Sequence, residues 1–197
     1  MDLKGKVALV TGGSGDVGGV IARVLAAAGV DVAISYAGNL EGADTAVEAV
    51  QATGRRSLVV QLDQRDPETI NSVVDKVVGK FGQVDILVNN AAWNIGIPFT
   101  DLDTLTAEIW DRVQETNTRG PYLLARAFAP HLRAHGAGRI VNIASAAGLF
   151  PVTGLSATGA VRPSVHRSWP GLPFGSVAAA VPQRHWGTLP ARPRHLP

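Results

Sequence analysis

Short apolar runs and amphipathic stretches alternate along the first 145 residues. KVALVTGG (6–13) is an apolar run closed by glycines and predicts a buried strand. Residues 17–29 follow as a helix, with Val17, Val20, Ile21, Val24 and Leu25 on one face and Gly29 as its stop. DVAISY (31–36) predicts the second strand, 41–53 the second helix with a stop at Gly54, and SLVVQLD (57–63) the third strand. Pro67 after Asp66 opens a third helix to about Phe81. VDILVNNA (84–91) is the fourth strand. A long helix is expected over 107–134, with Pro121 and Pro130 as candidate kinks or boundaries, and RIVNIAS (139–145) is the fifth strand. Strands that are apolar on both faces and alternate with helices predict an α/β fold with a parallel, doubly wound sheet. Ligands of such sheets bind beyond the carboxyl ends of the strands.

Composition adds bounds. The 197 residues suffice for one domain with a real core, and a hydrophobic content of 46% argues against disorder of the chain as a whole. There is no cysteine, hence no disulfide or thiolate metal site, and no metal is called for. No apolar run approaches the roughly 18 residues of a membrane span. The opening apolar run ends in a Gly-rich turn, unlike a signal peptide. A cytoplasmic protein without membrane or nucleic-acid partners is the expectation, and a net charge of +2 gives no reason to revise it.

TGGSGDVG (11–18) joins the first strand to the first helix and contains G-x-G-x-x-G as Gly13, Gly15 and Gly18. Glycines at such a turn let a phosphate approach the backbone N–H groups of a helix start, and a strand before with a helix after makes the motif specific. Asp16 stands inside it. Its carboxylate is expected to cap the helix and also to repel a diphosphate.

Together with LD at 62–63, NNAA at 89–92, Asn117 in ETNTRG and IVNIAS at 140–145, this turn resembles the short-chain dehydrogenase/reductase family, over residues 1 to about 157. The subgroup it resembles is that of 3-oxoacyl-[acyl-carrier protein] reductases and related carbonyl reductases. The resemblance implies a Rossmann-like sheet of strand order 3-2-1-4-5 and hydride transfer between a nicotinamide cofactor and a small carbonyl or alcohol substrate. It implies cofactor contacts from Gly12, Ser14, Gly15, Asp16, Val17, Gly18, Tyr36, Asn39, Asp63, Asn90, Ala91 and Ala92. Asp63 is the residue expected at the adenine, and Ala92 replaces a family glycine. The second strand ends in Ser35-Tyr36-Ala37-Gly38-Asn39 without the acid that would bind a ribose 2′-OH, so NADP is expected over NAD.

The family's catalytic set implies an asparagine at Asn117 and a serine at Ser145. It implies a tyrosine and a lysine at two further positions, which here hold Thr158 and Arg162. A threonine hydroxyl is far less acidic than a phenol, and arginine does not copy a lysine's compact contact. From Gly159 onward there is no Asp, Glu or Lys, while seven prolines, five arginines and three histidines appear. The division expected is therefore a dinucleotide-binding domain over 1–157 and an irregular tail over 158–197, lacking the family's last strands. A one-base shift of reading frame between about Leu155 and Thr158 accounts for it: ACN read one base earlier, after a T, gives TAC, tyrosine, and AGR read one base earlier, after an A, gives AAG, lysine. On this reading the family's homo-oligomer is not expected of this chain. The alternative to an active oxidoreductase is a truncated remnant that at most binds the dinucleotide. A basic-tailed binder of polyanions is a third, minor reading.

Overall fold

The computed structural model describes residues 2–97 and 101–145. Five strands form one parallel sheet: β1 (Val7–Val10), β2 (Asp31–Tyr36), β3 (Ser57–Gln61), β4 (Ile86–Asn89) and β5 (Arg139–Asn142). Their order is β3-β2-β1-β4-β5, as the family resemblance implies. β2 fills its apolar run, and the other four strands stop short of theirs because the ladder ends where the chain leaves for a turn. The register pairs Val10 with Ile34 on one side and with Val88 on the other. The turns that follow β1, β2 and β4 therefore sit side by side at the carboxyl edge.

Alternate residues of β1 face opposite layers. Val7 and Leu9 enter a core with Ile70, Val73, Val77 and Phe81 of α3 (Pro67–Phe81) and Leu124, Phe128 and Leu132 of α5 (Gly120–Ala134). Ala8 and Val10 enter a second core with Ala22 and Ala26 of α1 (Asp16–Ala27) and Ala43, Ala46 and Val50 of α2 (Leu40–Gln51). Burying one such Val, Leu or Phe side chain stabilises the fold by about 1.5–3 kcal/mol.

The face assigned to α1 from its valines needs correcting. Its buried residues are Gly18, Ala22 and Ala26, whereas Val20 and Val24 are 52% and 56% exposed and Val17 is also largely exposed. Small side chains let this helix lie close to the sheet; Ile21 and Leu25 pack against the same core as expected, and the three valines turn outward.

α3 starts as expected. Asp66 caps it by accepting from the Glu68 and Thr69 N–H groups, and Gly82 closes it at φ 81°. The long helix expected over 107–134 is instead three segments: α4 (Ala107–Gln114), a π turn (Glu115–Arg119) and α5. Pro121 follows the π turn at the start of α5, and Pro130 lies inside α5 without ending it. The expected division at residue 157, the tail 158–197, Thr158 and Arg162 lie outside the described residues. Among the described residues, no helix is long and apolar enough to cross a membrane.

Candidate functional site

One cleft of about 660 Å³ runs along the carboxyl edge of the sheet, within the range typical of cofactor sites. Every described residue expected at the site lines it: Gly12, Ser14, Gly15, Asp16, Val17, Gly18, Tyr36, Asn39, Asp63, Asn90, Ala91, Ala92, Asn117 and Ser145.

The turn after β1 is shaped by close approaches. Gly12 has φ 62°, and a Cβ there would lie 2.9 Å from the Ala91 Cα. A Cβ on Gly18 would run into the Gly12 carbonyl. Asn90 Nδ2 donates to the carbonyls of Thr11 (2.9 Å) and Gly12 (3.2 Å), and the buried Thr11 hydroxyl accepts from the Asn90 and Ala91 N–H groups at 3.0 Å each. Asn90 thus ties the β4 end to the turn. The helix cap expected of Asp16 is not made: Gly15 is the N-cap, α1 has no side-chain cap, and Asp16 is its exposed first residue. The N–H groups of the helix start are left to a ligand, which suits an anion. The charge of Asp16 stands beside them.

At the β2 end, both ends of the Asn39 amide meet backbone. Its Oδ1 accepts from the Gly42 N–H at 3.0 Å, capping α2, and its Nδ2 donates to the Ser14 carbonyl at 3.1 Å. It braces the phosphate turn while lining the cleft. No carboxylate follows β2 before Glu41.

At the β3 end, Asp63 holds an unforeseen partner. Arg65 Nε and Nη2 donate to its carboxylate at 2.9 and 2.6 Å, and the Arg65 backbone N–H does so at 3.0 Å. These bonds from the Arg65 side chain and backbone outweigh partial burial and hold the Asp63 carboxyl below the ordinary range. Asp63 therefore both closes its own turn and presents an ionised carboxylate to the cleft.

Asn117 sits in the π turn and is buried. Its Oδ1 accepts from the Trp93 N–H at 2.9 Å and its Nδ2 donates to the Trp93 carbonyl at 2.8 Å. A mid-helix asparagine is unfavourable for propensity; here it clamps the loop after β4. Trp93 in turn carries the Arg112 guanidinium 4.2 Å from its ring centroid, and both line the cleft. Neither was foreseen, nor was Gln64. A tryptophan in a loop and an arginine on a helix carry no periodic signal. Ser145 follows β5 at the far end of the cleft from Asp63, as the strand order dictates.

The arrangement offers helix N–H groups at one turn, a carboxylate on the β3 side, and an amide and a hydroxyl on the β5 side. It suits a long ligand with an anionic middle. The family model for short chain dehydrogenases matches residues 6–166, a stretch that includes positions 158 and 162. A short-chain dehydrogenase/reductase, FrzI, of a Cladobotryum species is 38% identical over 167 residues, covering 83% of this chain and 63% of that protein. The 3-oxoacyl-[acyl-carrier-protein] reductase FabG of Staphylococcus aureus is 36% identical over 73% of this chain and 57% of its own length. The chain thus spans less than two thirds of the length of these curated relatives. Among solved structures, a short chain dehydrogenase from Burkholderia cenocepacia in complex with NADP superposes with a TM-score of 0.76 at 38% identity, over 84% of this chain and 66% of that one. An NAD+-bound xylitol dehydrogenase gives 0.77 at 30% identity, over 84% and 62%.

Proposed function

The chain belongs to the short chain dehydrogenase family, and on that footing we propose that it binds a nicotinamide dinucleotide along the cleft, NADP in preference to NAD. The observation that carries this reading is the uncapped start of α1 over a glycine turn, in one cleft with Asp63, Asn117 and Ser145. The N–H groups of residues 16–18 would hold the diphosphate, where helix and backbone favour an anion. The adenine amine reaches the Asp63 carboxylate, which gives up part of its pairing with Arg65. Asn90, Ala91 and Ala92 border the adenosine ribose. The preference for NADP is supported by the missing carboxylate after β2 and by the NADP-bound Burkholderia neighbour. Asn39 serves it only by positioning the turn.

When bound, the nicotinamide supplies or accepts a hydride, and the protein orients the partners and manages a proton. The Ser145 hydroxyl donates to the oxygen of a small carbonyl or alcohol substrate, while Asn117 holds the Trp93 segment of the wall. Substrates of the 3-oxoacyl or related carbonyl class are supported by the reductases among the relatives. Thr158 and Arg162 favour a second reading for this chain as it stands: it binds the dinucleotide and turns it over weakly or not at all. Loss of a general acid alone costs about 10²–10⁴ in rate.

Fluorescence titration with NADPH and NADH tests binding, with NADPH expected to bind more tightly. Oxidation of NADPH by a 3-oxoacyl thioester above background would remove the second reading. The coding DNA tests its origin: a codon other than tyrosine in the frame one base earlier at Thr158 would exclude a frameshift.

A further inference from the structure

We infer that Gln64 is a positioning residue: its side-chain amide replaces the helix N–H that Pro121 lacks, and so fixes the π turn that holds Asn117 in the cleft wall. In this turn hydrogen bonds reach back five residues, as when the Gly120 N–H donates to the Glu115 carbonyl. Continuing the pattern, the Thr116 carbonyl would take the N–H of residue 121. That residue is Pro121, which has none. The Gly120 N–H, four residues on, is already used. Thr116, half-buried, is left with a carbonyl that the next helix N–H cannot take, and a carbonyl turned toward the buried Gln64 requires a donor.

Gln64 supplies it. Its Nε2 donates to the Thr116 carbonyl at 2.6 Å and to the Ala91 carbonyl at 3.3 Å. Gln64 is only 4% exposed, and its Oε1 has no partner among the described residues. The two carbonyls therefore set the amide's orientation, since turning it over would place oxygen against both. The helix leaves room for it: a Cβ on Gly120 would lie 2.8 Å from the Gln64 Cγ and 3.0 Å from its carbonyl oxygen.

Two amides thus stitch the same seam. Gln64 joins Ala91 to Thr116, and Asn117 joins Trp93 to the next position of the turn. Because Gln64 follows Asp63 directly, the β3 side of the cleft and the Asn117 side share one brace. Its effect on cofactor affinity rests on the dinucleotide reading above; its effect on the wall does not.

The test is amide hydrogen exchange of the full chain without ligand, read at Trp93 and, for reference, at Leu87 in β4. Gln64→Leu is expected to speed exchange at Trp93 by about tenfold or more relative to Leu87. Adding Pro121→Ala, which restores an N–H five residues beyond Thr116, should bring Trp93 back to within about threefold of the native rate. Gln64→Glu should expose Trp93 at about pH 8, where a carboxylate faces two carbonyls, and protect it at about pH 5, where a buried acid protonates and donates. Both pH values are read against the native chain. Native protection of Trp93 in Gln64→Leu, an equal loss at Leu87, or no rescue by Pro121→Ala would overturn the inference. Should Gln64→Leu alone not fold, the double variant and the pH pair of Gln64→Glu still decide it. NADPH affinity should fall in parallel with the loss at Trp93. A native chain that fails to bind NADPH counts against the dinucleotide reading and leaves the exchange result to judge the brace.

Discussion

The two edges of the sheet differ in what they leave open. At the amino edge, charges are closed in pairs. Asp85 accepts from Lys6 Nζ at 2.9 Å, from the Val7 N–H at 2.9 Å and from Gln83 Nε2 at 3.0 Å. Asp31 is bound by Arg55 and Arg56, with ion-pair distances of 2.6 and 2.7 Å. At the carboxyl edge Asp63 is also paired, with Arg65, but the helix start is uncapped and Asp16 stands exposed. The difference separates what holds the sheet from what the sheet offers. Satisfied carboxylates lock strand starts, while unsatisfied N–H groups wait for a ligand.

The strongest way to break this contrast is at the amino edge. Asp85→Ala leaves the Val7 N–H and Lys6 without their acceptor, and unfolding in urea should show a loss of about 3 kcal/mol. NADPH affinity of the folded fraction should stay within about twofold; a larger change would show that the edges are coupled. Gly18→Ala acts at the other edge, where the new methyl meets the Gly12 carbonyl. Overpacking there should cost about 1–3 kcal/mol, and isothermal titration should show NADPH affinity falling by about tenfold or more.

Acid sharpens the comparison further. Burial pushes Asp31 upward, but the hydrogen bonds and charges of Arg56, with the charge of Arg55, outweigh it and hold the carboxyl below its ordinary range. A lowered carboxyl contributes stability that is complete above about pH 4 and is lost as pH falls through its depressed value. Urea midpoints should therefore drop below about pH 4, and Asp31→Asn should flatten that limb. The smallest effect is expected at Asp16. Asp16→Asn removes a like charge from the diphosphate turn and should tighten NADPH binding by roughly two- to fivefold, less at high salt.

Much of this was legible in the residues. Five apolar runs split by amphipathic stretches placed the sheet, and turns after strands located the cleft. What failed did so for physical reasons. The outward turn of α1 was misread because Gly18, Ala22 and Ala26 add little hydrophobicity, yet their small size lets the helix seat closely. The π turn was hidden because Pro121 announces a lost N–H without saying which acceptor will be rescued. Gln64, in a polar turn, read as loop; only the topology shows that it reaches Thr116, fifty-two residues on. Arg65 escaped notice because a pairing with Asp63 two residues away looks like ordinary surface charge. Asp16 had the right chemistry for a helix cap, but the geometry of the turn gave the N-cap of α1 to Gly15, and the backbone bonds of Asn39 carried no signal in the sequence.

The strand order also has a consequence in time. β1, α1, β2, α2 and β3 are consecutive, so three strands can assemble as soon as residue 61 has been made. The other side of β1 must wait for Ile86–Asn89. At ordinary rates of synthesis that wait is on the order of a few seconds. During it the nascent chain carries an open sheet edge formed by Val7–Val10, the kind of edge on which unwanted pairing starts. The central strand of the finished protein is thus an open edge of the unfinished one.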